Sequence, residues 1–273
     1  MIELGDKEFG EMHRYIRSRY GLNLEKKKYL IESKLWLELA YSKSDTYAEY
    51  WKKLLSDQTG VMERRMMDQL TTNYTFFCRE EKHFEFLRRR VIPDLPPNRT
   101  APLHIWCAGC STGQECYTLA MELSDCRDTG ALRVPFSIFG SDLSATAVNA
   151  AQRGLYGSAD YARLPAAWQS RYCESFQDGQ FRVKASLQTC VGFQRQNLMD
   201  LPFMAPAYDL IFCRNVLIYF QDQDRAALIK KLTDALLPGG YLMIGHTESL
   251  LAIPNHLRYV QPSVYRKPEG RTR

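Results

Sequence analysis

The stretch LHIWCAGCSTGQECYTLAMELSD, residues 103–125, passes through three kinds of sequence in a short space. LHIWC is an apolar run of the length of one buried strand, CAGCSTGQE is a loop of small residues, and GQECYTLAMELSD has apolar residues at helical spacing. A strand that ends in a glycine-bearing loop and opens a helix presents free backbone N–H groups to a ligand at the helix N-terminus. The spacing Gly109-x-x-x-Gly113 is not the G-x-G-x-x-G of dinucleotide binders, so the loop alone does not name its ligand.

Downstream of this loop the alternation continues. FSIFG (136–140) reads as a strand ending at Ser141-Asp142, SATAVNAAQRG (144–154) as a helix and YDLIFC (208–213) as a strand. QDQDRAALIKKLTDALL (221–237) follows as a helix and YLMIG (241–245) as a strand. Such alternation implies an α/β fold, a parallel sheet wrapped by helices in the doubly wound, Rossmann-like manner. Between about 157 and 193 the pattern breaks: LPAAWQSRYCESF reads as helical and FQDGQFRVKASLQTCVGF as a small antiparallel insert turning at Asp178-Gly179.

Upstream the grammar is helical only. EKKKYLIESKLWLELA (25–40), SDTYAEYWKKLLSD (44–57) with Ser44 and Asp45 as N-caps, VMERRMMDQL (61–70) and EKHFEFLRRRVI (81–92) predict a small bundle. The segment PDLPPN (93–98) then separates an N-terminal helical domain, residues 1–92, from a second domain, residues 93–273.

At 273 residues the chain can bury a core without disulfide or metal staples. Its 36 basic and 31 acidic residues are interleaved, and a net charge of +5 argues against a dedicated nucleic-acid binder. The N-terminus has no apolar signal core, and no run approaches the roughly 18 apolar residues of a membrane span. A cytoplasmic protein is expected, whose triplets Asn73-Tyr74-Thr75 and Asn98-Arg99-Thr100 have no glycan to carry. The eight cysteines read as small apolar fillers. Cys107-x-x-Cys110 with Cys116 has no second ligand pair at suitable spacing, so no metal is expected.

Asp142 ends the second strand, about where folds of this kind place a carboxylate on a ribose. Its other use would be to cap the helix that follows, which Ser144 does better, so nucleoside recognition is the working reading. LLPGGYLMIG (236–245), as structure a glycine helix cap before a strand, resembles the corresponding part of S-adenosylmethionine-dependent methyltransferases.

Taken together, TTNYTFFCRE, CAGCSTGQE, FGSDLS, QNLMDLP, FCRNVLIYF and LLPGGYLMIGHTES, in that order, resemble the CheR-type chemotaxis methyltransferases over nearly the whole chain. These enzymes methylate glutamate side chains of bacterial chemoreceptors. The resemblance implies S-adenosylmethionine as cofactor, S-adenosylhomocysteine as product, and the cytoplasmic helices of chemoreceptors as partners, with no nucleic acid, no membrane insertion and a monomeric enzyme. It also implies a site. Asn73, Thr75 and Arg79 would meet the cofactor from the end of the helical domain, Glu115 in the first loop, and Asp142 at the ribose. Asn197 and Leu198 would flank the adenine, and Arg214 and Asn215 would follow the fourth strand. Tyr219 would stand near the transferring methyl with Arg79 as the second catalytic residue, although an ordinary amphipathic core tyrosine fits the same pattern. Lys26, Lys27, Lys28 and Lys34 offer a basic face for acidic receptor helices. Where some members grip a receptor peptide with the antiparallel insert, the turn SFQDGQF here is short and poor in glycine, which argues against such a tether.

Two rivals stand beside this reading. A nucleic-acid amino-methyltransferase would carry an Asp/Asn-Pro-Pro-aromatic motif where this chain has Cys213-Arg214-Asn215-Val216. A catalytically silent, cofactor-binding receptor adaptor would be expected to show damage at the site positions, and none is visible.

Overall fold

The computed structural model describes residues 2–176, 178–201 and 205–269. The strands, in chain order, are β1 (Leu103–Ala108), β2 (Phe136–Asp142), β3 (Leu155–Tyr156), β4 (Cys173–Ser175), β5 (Phe181–Val183), β6 (Val191–Arg195), β7 (Tyr208–Cys213), β8 (Leu236–Ile244), β9 (Arg258–Gln261) and β10 (Val264–Arg266). Four helices precede them, α1 (Asp6–Tyr20), α2 (Lys28–Tyr41), α3 (Tyr47–Ser56) and α4 (Val61–Leu70), then α5 (Lys82–Phe86), which runs on as a π turn over Leu87–Val91. Among the strands lie α6 (Gln114–Asp128), α7 (Ala145–Arg153), α8 (Ser158–Tyr161), α9 (Ala166–Tyr172), α10 (Ala185–Gln188) and α11 (Asp222–Ala235).

Alternation along β1 explains why helices cover both faces of the sheet. Leu103, Ile105 and Cys107 enter one apolar cluster with Leu119 and Leu123 of α6, whereas Trp106 and Ala108 enter another with Leu228, Ile229 and Leu232 of α11. The seven-stranded sheet runs β6-β2-β1-β7-β8-β10-β9, parallel from β6 to β8, with β10 antiparallel to β8. The chain builds outward from β1 through β2 to β6, then crosses back to lay β7 on the other side of β1. That reversal opens a crevice at the C-terminal ends of β1 and β7, where ligands bind in open α/β sheets.

The α1–α4 bundle has its own core of Met12, Ile16, Ile31, Leu35, Tyr50, Trp51, Met66 and Met67. Its ties to the sheet region include two from α4 and the turn after α1. Asp68 of α4 accepts hydrogen bonds from the hydroxyls of Ser144 (2.8 Å) and Thr146 (3.0 Å), and the turn after α1 forms a β-bridge between Leu22 and Phe220 with Asn23 N–H donating to Tyr219 O at 2.8 Å.

Five details differ from the sequence reading. EKHFEFLRRRVI (81–92), read as part of the bundle, instead buries Phe84, Phe86, Leu87, Val91 and Ile92 in the core shared with β1 and α6. Residues 191–193, placed at the end of the antiparallel insert, instead open β6, which pairs parallel with β2 and leaves β3, β4 and β5 as the three-stranded insert. The helix expected through Phe176 stops at Tyr172, because Cys173 to Ser175 pair with β5. The cap of α3 is Thr46, whose hydroxyl accepts from Glu49 N–H at 3.2 Å, while Glu49 answers by accepting from Asp45 N–H at 2.9 Å. Finally α11 ends at Ala235, so Pro238-Gly239-Gly240 belong to an irregular start of β8 and not to a helix cap.

Candidate active site

The crevice is a cavity of about 370 Å³, within the roughly 300–1,000 Å³ of small-ligand sites. All of Asn73, Thr75, Arg79, Glu115 and Asp142 line it. So do Asn197, Leu198, Arg214, Asn215 and Tyr219, so the positions singled out in the sequence converge on one space.

The loop after β1 forms its floor. Gly109 lies at φ +89°, and a Cβ there would sit 2.3 Å from Val216 Cγ2, so only glycine allows the loop to pass under the Asn215–Tyr219 turn. Asp142 fixes the same loop: Oδ2 accepts from Ser111 N–H at 2.8 Å and Oδ1 from Ser144 N–H at 2.9 Å. Ser144, as expected, caps α7 by accepting from Ala147 N–H at 3.1 Å. Burial pushes the Asp142 carboxyl above the ordinary value, against the pull of the Ser144 and Ser111 amides. Each of its oxygens keeps a lone pair beyond those two bonds, which suits a pair of ribose hydroxyls.

Arg214, almost fully buried, holds the wall between two carboxylates. Its Nη1 lies 2.9 Å from Glu115 Oε2, its Nη2 3.1 Å from Glu80 Oε2, and it also donates to the carbonyl of Arg79. Burial pushes both carboxyls up. For Glu80 the charge and hydrogen bond of Arg214 together with the backbone N–H and ring of His246 outweigh it, leaving a lowered pKa, whereas Glu115 stays above the usual carboxylate range. One cation between two carboxylates leaves a net negative wall, which complements a cationic ligand. Glu80 was not among the residues picked from sequence, since only the fold brings it to Arg214.

Backbone strain concentrates in the segments around the cavity. Cys78, Glu80, Ser111 and Asn215 have φ of +59°, +57°, +50° and +57°, a region that costs non-glycine residues about 1 kcal/mol or more each. At Asn215 the strain is held by Glu248, a buried residue the sequence reading passed over inside LLPGGYLMIGHTES. Glu248 Oε2 accepts from Gly245 N–H (2.6 Å) and Asn215 N–H (2.9 Å), and Oε1 from Ile218 N–H (3.2 Å). Gly245 must be glycine for this contact, because its Cβ would lie 2.5 Å from Asn215 Nδ2.

Tyr219, Arg79 and Lys27 also line the cavity. The Lys27 ammonium lies 5.5 Å from the Tyr219 ring centroid, and Arg79 donates to Tyr74 O at 2.8 Å beside the rings of Tyr74 and Phe76. Among the described residues neither cation is in an ion pair. Of the other lysines in the basic run, Lys28 pairs with Asp6 at 2.5 Å and Lys34 donates to Thr71 O at 3.2 Å, so only part of that run is free for a partner. Asn197 holds its own turn by accepting from Met199 N–H and donating to Arg19 O at 2.8 Å, and Leu198 beside it lines the cavity. Phe77 is core and Phe76 lines the space.

The cysteines are free, and six of the eight are buried. Burial pushes the Cys107 thiol up to about 12 and those of Cys116 and Cys213 well above the ordinary value, so they pack as fillers. Among the described residues no helix is long and apolar enough to cross a membrane.

Residues 73–266 match the family model for the CheR methyltransferase, S-adenosylmethionine-binding domain. The chain is 35% identical to the chemotaxis protein methyltransferase of Borreliella burgdorferi over 97% of its length and 96% of that protein's. It is 31% identical to chemotaxis protein methyltransferase Cher2 of Pseudomonas putida, covering 96% and 97% of the two chains. Identity to chemotaxis protein methyltransferase 1 of Pseudomonas aeruginosa is 34%, over 87% and 88%. With a cavity at the switch point of a Rossmann-like sheet and a family model matching most of its length, the chain belongs to the CheR methyltransferase family, and its cofactor is S-adenosylmethionine.

Proposed function

We propose that this protein transfers the methyl group of S-adenosylmethionine to glutamate side chains in the cytoplasmic helices of bacterial chemoreceptors, forming methyl esters for chemotactic adaptation. The observation that carries the reading is the pair Arg79 and Lys27, which line the same cavity as Tyr219 without carboxylate partners among the described residues, Lys27 lying over the Tyr219 ring and Arg79 against Tyr74. They suit an acceptor that brings its own carboxylate.

The chemistry asks little else. A glutamate carboxylate, with an ordinary pKa of about 4.3, is already ionised at neutral pH and needs no general base. Its oxygen lone pair forms the new O–CH3 bond as the S–CH3 bond breaks, the electron pair staying on sulfur to give S-adenosylhomocysteine. Catalysis then consists of alignment and of removing water from the nucleophile. Both charges vanish in the transition state, so tight pairing of either in the ground state would slow the transfer. Arg79, held by a neutral carbonyl and two ring faces, can aim the carboxylate without a competing partner.

In this reading Asp142 takes the ribose, Asn73, Thr75 and Asn215 complete the cofactor contacts, and the Asn197–Leu198 backbone meets the adenine. The net negative wall of Glu80, Glu115 and Arg214 accepts the cationic methionyl end. The helical half, residues 1–92, presents the receptor, its exposed lysines meeting acidic helices. Purified protein incubated with radiolabelled S-adenosylmethionine and receptor-containing membranes should put alkali-labile label on the receptor. Alkali-stable label, label on RNA, or bound cofactor with no transfer would each overturn the assignment, the last in favour of a silent adaptor.

A further inference from the structure

Glu80 has a second set of neighbours. His83 reaches it from one turn along α5, with Nδ1 at 3.6 Å from Oε2, and His246 from the loop after β8, with Nε2 at 4.0 Å from the same oxygen. The three ligand atoms lie within 4.8 Å of one another, and the two imidazole rings meet edge to face at 4.9 Å. Among the described residues neither ring nitrogen of His83 has a hydrogen-bond partner, although the side chain is only 1% exposed. Buried polar atoms are nearly always paired, so this imidazole points to a ligand. His246, at 39% exposed, leaves a way in.

The donor set narrows the ligand. A tetrahedral ion with bonds of about 2.0–2.2 Å holds its donors about 3.4 Å apart, so the 3.6 and 4.0 Å separations from Glu80 are near that spacing, and the pair of imidazole nitrogens, within 4.8 Å, can reach it by side-chain rotation of up to about 1.4 Å. Two imidazoles and one carboxylate suit zinc, cobalt or nickel, not magnesium or calcium. We propose that Glu80, His83 and His246 form a site for a divalent transition metal of the zinc class, and that occupancy draws Glu80 from Arg214. The competition is direct, because Oε2 is also the oxygen that accepts from Arg214 Nε at 3.2 Å and Nη2 at 3.1 Å. The cysteines, where the sequence invites a metal to be sought, take no part.

The site itself stands apart from the methyltransferase reading; its effect on the cofactor rests on that reading. Two added positive charges turn a net negative wall positive. Cationic S-adenosylmethionine should lose more affinity than S-adenosylhomocysteine, whose sulfur is neutral, and by linkage the cofactor should weaken the metal equally.

Titrating the full chain with cobalt(II) tests the site. One ion per chain should produce visible d–d bands without a sulfur-to-cobalt charge-transfer band in the near ultraviolet, and zinc should displace it. His246→Ala, a partly exposed position, should weaken cobalt at least about tenfold while methyl transfer in chelator-treated buffer stays at the wild-type rate. His83→Asn provides a second ligand deletion, with a circular dichroism spectrum to show that it folds. No d–d band, a sulfur charge-transfer band, or equal binding by His246→Ala would overturn the site. Cobalt binding as expected with unchanged affinity for S-adenosylmethionine would overturn the displacement of Glu80.

Discussion

Replacing Glu248 should show how much of the cavity depends on a residue that does not line it. In the wild type its carboxylate satisfies three backbone donors, those of Gly245, Asn215 and Ile218. Each buried N–H left without an acceptor costs about 1–3 kcal/mol. Glu248→Ala orphans all three and releases Asn215 from a left-handed conformation, so a loss of about 3–5 kcal/mol is expected after local relaxation. At about 2–4 °C per kcal/mol for a chain of this size, the melting temperature should fall by roughly 6–20 °C. Glu248→Gln keeps one oxygen for Gly245 and Asn215 but turns an amide N–H toward Ile218, and should cost only about 1–3 kcal/mol. The assay is thermal unfolding of both variants without cofactor, followed by calorimetric titration with S-adenosylhomocysteine. Because the turn carries Asn215 to Tyr219, affinity should fall in the same order as stability. If Glu248→Ala melts within about 2 °C of wild type, or binds the product as tightly, the carboxylate is not the tie that the geometry makes it.

Four further outcomes follow from the site. Asp142→Asn should weaken cofactor binding by about 2–4 kcal/mol, roughly 30- to 1,000-fold, through lost charge-assisted bonds to the ribose; titration calorimetry within threefold of wild type would contradict this. Arg79→Ala should lower turnover by about tenfold to a hundredfold through misalignment of the acceptor, and unchanged turnover together with unchanged cofactor affinity would remove Arg79 from the mechanism. Raising salt should weaken receptor methylation more than cofactor binding, since docking on acidic helices is screened while buried contacts are not; equal loss of both would count against the basic face. Burial holds the His83 imidazole neutral, its pKa lowered to about 3. The unfolded chain binds that proton below about 6.5 and the folded chain does not, so stability should decline as pH falls from about 6.5 toward 3, by up to about 1.4 kcal/mol per unit from this group. Denaturant titrations across that range should show a shallower slope for His83→Gln, and equal slopes would refute the assignment.

Much of the site was legible because its residues sit at strand ends, where apolar runs stop and loops begin. Asp142 at the end of β2 is marked by such a transition; Arg214 after β7 and Glu115 at the start of α6 also lie at transitions, but they and the rest came through the resemblance. What escaped was non-local or weakly patterned. Val191–Arg195 is alternately half-buried and exposed at the sheet's edge, so nothing in VGFQR separates it from the antiparallel insert before it. Glu80 and Arg214 are 134 residues apart, and Glu248 reaches back 33 residues to Asn215, distances over which no periodicity speaks. Lys27 read as one charge in a basic face for receptor helices; only the bridge between Leu22 and Phe220 brings it to Tyr219. The end of α11 was misplaced because an apolar Leu236-Leu237 continues a helical pattern as readily as it begins a strand.

The central claim is that the acceptor is a glutamate carboxylate. Mass spectrometry of peptides from a receptor cytoplasmic domain, after incubation with this protein and S-adenosylmethionine, reads the acceptor atom directly. Methyl esters on glutamates of the receptor helices, lost on mild alkaline treatment and formed about tenfold to a hundredfold more slowly with Arg79→Ala, are the predicted result. Methylation confined to lysine or arginine, or an unmodified receptor in the presence of bound cofactor, would contradict the account.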